Sequence, residues 1–131
     1  MNSITFNSII LSVLGWTITN NIIQQITKKD INYNSRIYSN IHAVLIFIYS
    51  FMICYNDTFD IYTAQIINGI SAGYAIFDMY RAFKKKELEY IVHHLIIVLA
   101  IIPSGLYELG LYELPYNYYY LIARSFLSES S

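Results

Sequence analysis

Long blocks of consecutive apolar residues, separated by short polar connections, limit most strongly what this chain can fold into. A helix that crosses a bilayer needs about 20 mostly apolar residues, because in hydrocarbon every backbone amide and carbonyl must be paired within its own segment. Five stretches come near that length, and they cover residues 4–26, 38–55, 61–83, 90–111 and 115–127. The pattern predicts an all-α membrane protein, a polytopic transmembrane helix bundle of about five spans.

The composition excludes an ordinary soluble domain. Hydrophobic residues make up 56% of the 131 positions and charged residues only 13%, against roughly 25% charged residues in soluble domains. The formal net charge of −1 provides no global basic field, so no nucleic-acid partner is expected. The single cysteine, Cys54, can form neither an intrachain disulfide nor a cysteine metal site, and we expect no metal and no cofactor.

The first and fifth blocks are the weakest candidates for spans. The first is interrupted by asparagines and threonines, but it lacks the basic start of a signal peptide, so we expect a retained helix. The fifth begins at Pro115, a residue suited to the first turn of a helix, and it is short and polar for a span. Its run Tyr116–Tyr120 is typical of an aromatic belt at a membrane interface.

The connections between the blocks alternate in charge. Basic residues lie in the first and third connections, namely Lys28, Lys29 and Arg36, then Arg81 and Lys84–Lys86. Acidic residues without any Lys or Arg lie in the other two, namely Asp57 and Asp60, then Glu108 and Glu113. The positive-inside rule then puts the basic connections in the cytosol and the N-terminus on the non-cytosolic side.

Ionisable side chains from several blocks converge at one depth. At about 1.5 Å of rise per residue, His42, Asp78 and the pair His93-His94 lie a turn or so inside the helix ends that meet the basic connections. Glu129 follows the fifth block on the same side. An ionisable side chain in hydrocarbon is costly unless it pairs or faces a wet cavity, so the convergence indicates a functional site. Histidine suits such a site because it both accepts and donates a proton near neutral pH.

Structural explanations also exist for these residues. Asp78 and Arg81 are three residues apart on one helix and would form a local ion pair. His94 would be a hydrogen-bonded interior residue that fixes helix packing, and His93 would pair with Glu89 one turn earlier. His42 taken alone is better explained as a structural residue. We favour a functional site for His93, His94 and Asp78 taken together.

The third block carries two distinct faces. Gly69 and Gly73, four residues apart, allow close approach of a neighbouring helix. A separate polar stripe at helical spacing consists of Ser71, Tyr74, Asp78 and Arg81.

Three segments then occur in a fixed order. They are Ile70–Asp78, in which a small residue, Gly73 and Tyr74 precede the aspartate, then Val92-His93-His94-Leu95 after the basic connection, then Phe126–Ser131 with Glu129. This ordered set resembles the TLC domain family of multi-helix membrane domains, from about Tyr38 to the last residue, and His42 lies where such domains also carry a histidine. Family members continue through further helices. The resemblance therefore implies one partial TLC-type domain in residues 1–131, with a helix-packing partner or an oligomer closing its open side.

The resemblance implies two alternative functions. The match is closer to the members that are not ceramide synthases, which implies lipid sensing, trafficking or control of membrane lipid composition. The alternative is an acyl-CoA-dependent acyltransferase of the ceramide synthase type that uses the His-His pair as general base. The aspartate-rich stretch that follows the pair in those enzymes is replaced here by apolar residues 95–102, so enzymatic activity stays open.

The expected site and partners follow from both lines of reasoning. The candidate catalytic residues are His93, His94 and Asp78, and a lipid-binding or polar cluster would contain His42, Tyr74, Arg81 and Glu129. Membrane lipids are the expected partners, with acyl-CoA as the co-substrate of the alternative. The resemblance implies a multi-pass protein of the endoplasmic reticulum or another internal or host membrane.

Overall fold

All regular secondary structure is α-helical in the computed structural model, which describes residues 3–55, 60–115 and 117–130, without the side chains of 32 and 127–130. Five helices follow in order: α1 (Ile4–Thr27), α2 (Ile31–Tyr55), α3 (Ile61–Lys85), α4 (Leu88–Glu108) and α5 (Tyr118–Ser130). The predicted all-α fold is confirmed over these residues. Asp57, in the connection between α2 and α3, lies outside them.

Three of these helices are long and apolar enough to cross a membrane: α1, the part of α2 from Tyr33 to Tyr55, and α4. Large apolar side chains on their outer faces are mostly exposed, for example Leu11 at 69% and Ile96 at 61%. Both findings are compatible with an integral membrane protein. The prediction of about five spans is supported for these three helices only.

The other two helices differ from the three candidate spans in composition and length. Helix α3 has 25 residues, or about 37 Å at 1.5 Å per residue, but polar residues along it lower its hydropathy. Helix α5 has 13 residues, or about 20 Å, which is shorter than the roughly 30 Å hydrocarbon core of a bilayer. Transmembrane placement of α3 and α5 stays a prediction.

Two lysines in the left-handed conformation end α1 and α3. Lys28 has φ 56° and its amide donates to the Gln24 carbonyl at 2.8 Å. Lys86 has φ 58°, and its amide donates to the Phe83 carbonyl at 3.2 Å. A left-handed residue at this position satisfies the last helix carbonyls and reverses the chain. Both basic connections are therefore tight turns between neighbouring helices.

Helix α3 lies at the centre of the bundle and packs closely along α1. A Cβ atom on Gly69 would lie 2.7 Å from the Thr5 carbonyl oxygen, and one on Gly73 would lie 2.8 Å from the Ile9 carbonyl oxygen. The Ser12 hydroxyl donates to a backbone carbonyl of α3 at 2.9 Å. The predicted close approach at the glycine face is confirmed, and the neighbour is α1.

The order of these contacts sets the polarity of the bundle. Positions later in α1 meet positions later in α3, so the two helices are parallel, and their C-terminal lysines lie at the same end. At the opposite end, Glu108 of α4 accepts a hydrogen bond from the Thr5 backbone amide at 3.0 Å. The bundle therefore has a basic end, with Lys28 and Lys86, and an acidic end, with Glu108.

The tyrosines of α5 differ from the prediction. Tyr118 and Tyr119 are each only 8% exposed, and the Tyr118 hydroxyl donates to the Ala100 carbonyl at 2.6 Å. An interfacial belt is therefore wrong for these two residues, because α4 offers their hydroxyls polar partners inside the bundle. Tyr120 is exposed, and Tyr116 lies outside the described residues.

Candidate functional site

A buried carboxylate on α3 forms the centre of the candidate site. Asp78 is 5% exposed, and its Oδ1 accepts a hydrogen bond from Arg81 Nε at 2.7 Å. Its Oδ2 lies 2.7 Å from His94 Nε2 on α4. Arg81 also donates to Glu87 Oε2 at 3.2 Å. The predicted local ion pair with Arg81 is present, together with a contact between Asp78 and His94 on the next helix.

The tight turn between α3 and α4 explains why Asp78 and His94 meet. Asp78 lies eight residues before Lys86, and His94 lies eight residues after it. A short connection makes neighbouring helices antiparallel, so residues equally far from it lie at the same depth. The local sequence thus places a carboxylate and an imidazole side by side near the basic end of the bundle.

The two adjacent histidines occupy different environments. His94 is 7% exposed and lies against Asp78. His93 is exposed, and its ring centroid lies 5.4 Å from that of His94. His94 therefore contacts Asp78 directly, and His93 lies on the wall of the cavity described below.

His42 and Tyr74 extend the cluster toward α2. The His42 ring stacks on the Tyr74 ring with centroids 4.3 Å apart, and its Nε2 lies 3.3 Å from the Ser71 hydroxyl. Tyr74 meets His94 edge-on at 6.3 Å between centroids. Tyr74 therefore lies between the two imidazoles, and the structure brings His42, Tyr74, Asp78 and His94 together.

These side chains line a partly open cavity of about 610 Å³ between α2, α3 and α4. That volume lies within the roughly 300–1,000 Å³ typical of small-molecule sites. Three basic side chains also line it, namely Arg36, Arg81 and Lys85. Its apolar lining consists of Ala43, Ile46, Ala75, Ile97 and Phe126. The cavity therefore combines a charged and polar part with an apolar part.

Some lining residues are not identifiable as site residues from the sequence. Arg36 and Lys85 carry only the topology signal of a basic connection, and Glu87 lies in a turn without any motif. The one sequence feature that could have identified them is their position at the helix ends, close to His42, Asp78 and the histidine pair. Glu129 is predicted in the cluster from the sequence, but its side chain lies outside the described part of the structure.

The His94–Asp78 pair has the arrangement of a base held by a carboxylate. An ionised carboxylate only accepts hydrogen bonds, so His94 Nε2 donates to Asp78, and in a neutral imidazole Nδ1 is then the nitrogen that carries the lone pair. His94 Nδ1 is buried and has no hydrogen-bond partner among the described residues. This nitrogen is available to accept a proton or a hydrogen bond. No group of three or more His, Cys, Asp or Glu side chains able to hold a metal occurs in the described part of the chain.

Comparison with protein-family models, with curated proteins and with solved structures finds no match to this chain. The resemblance to the TLC family accordingly stays a prediction from the sequence segments.

Proposed function

We propose that this chain is a multi-pass membrane protein with a TLC-like domain that binds a membrane lipid and takes part in lipid sensing, trafficking or lipid homeostasis. The observation that supports this most is the cavity beside Asp78 and His94, which is polar and ionisable within a bundle whose outer surface is apolar. Ionisable groups at such a depth are costly and mark functional sites.

The composition of the cavity suits an amphiphile. The polar head of a lipid would contact His42, His94 and the basic side chains Arg36 and Lys85. The first part of an acyl chain would lie along the apolar wall that includes Phe126. A purely water-soluble ligand would leave that wall unused.

The membrane placement belongs to the same proposal. Helix α3 would cross the membrane with its polar stripe covered by α1, α2 and α4, and α5 would form the fifth span. The basic end would face the cytosol and the N-terminus the opposite side, as the positive-inside rule favours. The membrane would be the endoplasmic reticulum or another internal or host membrane.

Lipid occupancy of the purified protein tests the proposal. Ala43 lines the cavity, and Ala43→Phe fills it without removing a charge. Native mass spectrometry of protein released from nanodiscs should show one retained lipid on the wild type and none on Ala43→Phe. Gly15→Phe is the control, because a Cβ at Gly15 meets nothing within 4 Å. Equal lipid retention by the two variants would contradict lipid binding in the cavity.

A second candidate function is acyl-CoA-dependent acyl transfer of the ceramide synthase type, favoured by His94 Nδ1, which has no hydrogen-bond partner among the described residues. In that reaction the amine nitrogen of the sphingoid base attacks the carbonyl carbon of the acyl-CoA thioester. His94 Nδ1 takes the proton that the amine loses, and the CoA thiolate leaves. Asp78 would stabilise the resulting imidazolium, and His93 would contact the substrate from the cavity wall. Incubation with labelled acyl-CoA and a sphingoid base distinguishes the candidates: an N-acylated product that His94→Ala abolishes supports the enzyme, and no product supports lipid binding alone.

A further inference from the structure

A second buried polar network lies at the acidic end, away from the cavity. Glu108 accepts hydrogen bonds from the Ser3 hydroxyl at 2.5 Å and from the Thr5 backbone amide at 3.0 Å. The Thr5 hydroxyl pairs with the Ser104 hydroxyl at 3.0 Å, and Ser104 pairs with the Tyr119 hydroxyl at 3.0 Å. A chain of three hydroxyl groups, those of Thr5, Ser104 and Tyr119, thus leads into the interior of the bundle from the residue whose backbone amide binds the half-buried Glu108 carboxylate.

The polar chain continues along α3 with groups that have no partner. The Gln65 side chain interacts with the Tyr119 hydroxyl, but its Oε1 is buried without a hydrogen-bond partner among the described residues. Asn68, one turn further, is 1% exposed, and neither its Oδ1 nor its Nδ2 has a partner there. The Ser50 hydroxyl on α2 is also buried without a hydrogen-bond partner in the described part of the chain.

Buried amides without partners are unfavourable. Transfer of an amide from water into an apolar medium is costly when no hydrogen bond replaces those that it made to water. Water molecules that make two to four hydrogen bonds are the usual way in which such groups are satisfied inside proteins. Gln65 and Asn68 are three residues apart on the same helix, so their unpaired atoms lie within about one helical turn of each other.

We propose that bound water, at Gln65 and Asn68 and between Glu108 and the Thr5 hydroxyl, completes a hydrogen-bonded path that conducts protons through the bundle, from Glu108 at the acidic end to the cavity at the basic end. Ser71 lies one turn beyond Asn68 on α3 and contacts His42 at 3.3 Å. The cavity then gives access to the Asp78–His94 pair. Both ends of the path therefore carry groups that exchange protons with solvent.

Conduction along this path consists of balanced steps. Each hydroxyl group or water accepts one proton from its neighbour and passes one on, so no covalent product forms and no redox partner is needed. The pH difference between the two ends drives the net movement. Asn68 does not itself carry the proton but holds the water that does.

Proton flux into vesicles tests the path. The protein is reconstituted into liposomes that contain a pH-sensitive dye, with potassium and valinomycin to compensate charge, and the outside is acidified. Wild-type vesicles should acidify faster than protein-free vesicles, and Asn68→Leu should return the rate to that of protein-free vesicles. This variant should fold, because it replaces an unpaired buried amide by an apolar group of similar size. Asn21→Leu, at an exposed position of α1, should keep the wild-type rate.

A second pair of variants decides the matter if Asn68→Leu does not fold. Tyr119→Phe removes only the hydroxyl group from the path and should also abolish the flux, whereas Tyr62→Phe at an exposed position of α3 should not. A wild-type rate no higher than that of protein-free vesicles overturns the proposal. So does a wild-type rate in either folded path variant. Lipid retention in the cavity is not expected to change in these variants, so the two proposals fail independently.

Discussion

Asp78 is the residue on which the geometry of the site depends. Its carboxylate accepts hydrogen bonds from Arg81 on its own helix and from His94 on the next. Hydrogen bonds to charged groups contribute about 1.5–3 kcal/mol each, and removal of either partner would leave a buried charge less well compensated. The same contacts fix the ring orientation of His94, so stability and the chemistry of the site are joined at this one side chain.

The two histidines should respond differently to substitution. His94→Ala removes a buried partner of a charged group and should lower the free energy of unfolding by about 2 kcal/mol, together with lipid retention. His93→Ala removes an exposed side chain and should leave thermal unfolding in detergent unchanged. The double variant should still insert into membranes, since it removes polarity from the apolar region. Equal destabilisation by the two single substitutions would contradict the finding that His94 is buried against Asp78 while His93 is exposed.

Asp78→Asn should give a milder defect than the loss of both histidines. The amide oxygen still accepts a hydrogen bond from Arg81, but the negative charge that pairs with His94 and Arg81 is lost. Lipid retention, measured by native mass spectrometry, should be reduced and not abolished. Retention at the wild-type level would show that the charge of Asp78 plays no part in binding.

At the scale of helices, the sequence predicts well what depends on spacing along one segment. The apolar blocks locate the helices, Gly69 and Gly73 locate a close contact, and equal distances from the turn at Lys86 locate Asp78 opposite His94. These features depend on helix geometry and on one short connection. They require no knowledge of how distant helices are rotated.

The features that the sequence does not predict depend on helix rotation. The sequence places His42 and Tyr74 in one cluster, but the stacking of their rings depends on which face α2 presents to α3. Tyr119 likewise turns inward because Ser104 on α4 meets its hydroxyl. A tyrosine-rich segment has the same composition at a membrane interface and in a bundle interior. Only the positions of polar partners on other helices distinguish the two.

The contact between α1 and α3 should not tolerate a larger residue at its centre. A side chain on Gly73 meets the backbone of α1 at Ile9 and the Ser12 side chain, and backbone cannot move aside cheaply. Gly73→Leu should therefore lower the free energy of unfolding by about 1–3 kcal/mol, the usual cost of overpacking. The yield of folded protein should also fall. Gly15→Leu makes the same change where nothing lies within 4 Å of the added Cβ. Equal thermal stability of the two variants would place the glycine face against lipid.

In the whole molecule, the candidate site lies at the end of the bundle that carries most of the positive charge. The basic connections, the cavity and the Asp78–His94 pair all lie toward the basic end, while Glu108 lies at the acidic end. With the membrane placement proposed above, a lipid bound in the cavity would have its head near the membrane face that carries the lysines. The orientation of the bundle decides from which leaflet the lipid enters.

Labelling of single cysteines in sealed vesicles tests that orientation. On a Cys54→Ala background, Lys29→Cys and Lys84→Cys should react with a membrane-impermeant reagent from the cytosolic side. Glu113→Cys, an exposed position beyond α4, should react only from the opposite side. Reaction of Lys84→Cys and Glu113→Cys from the same side would mean that α4 does not cross the membrane.

Photocrosslinking with a lipid that carries a diazirine in its head group tests lipid binding in the cavity most directly. After irradiation of the protein in nanodiscs and proteolysis, the labelled residues are identified by mass spectrometry. We expect labels on the cavity segments, residues 35–46 of α2 and 90–97 of α4, and loss of these labels in Ala43→Phe. Labels confined to the exposed outer face of α1, unchanged by that substitution, would contradict a lipid site between α2, α3 and α4.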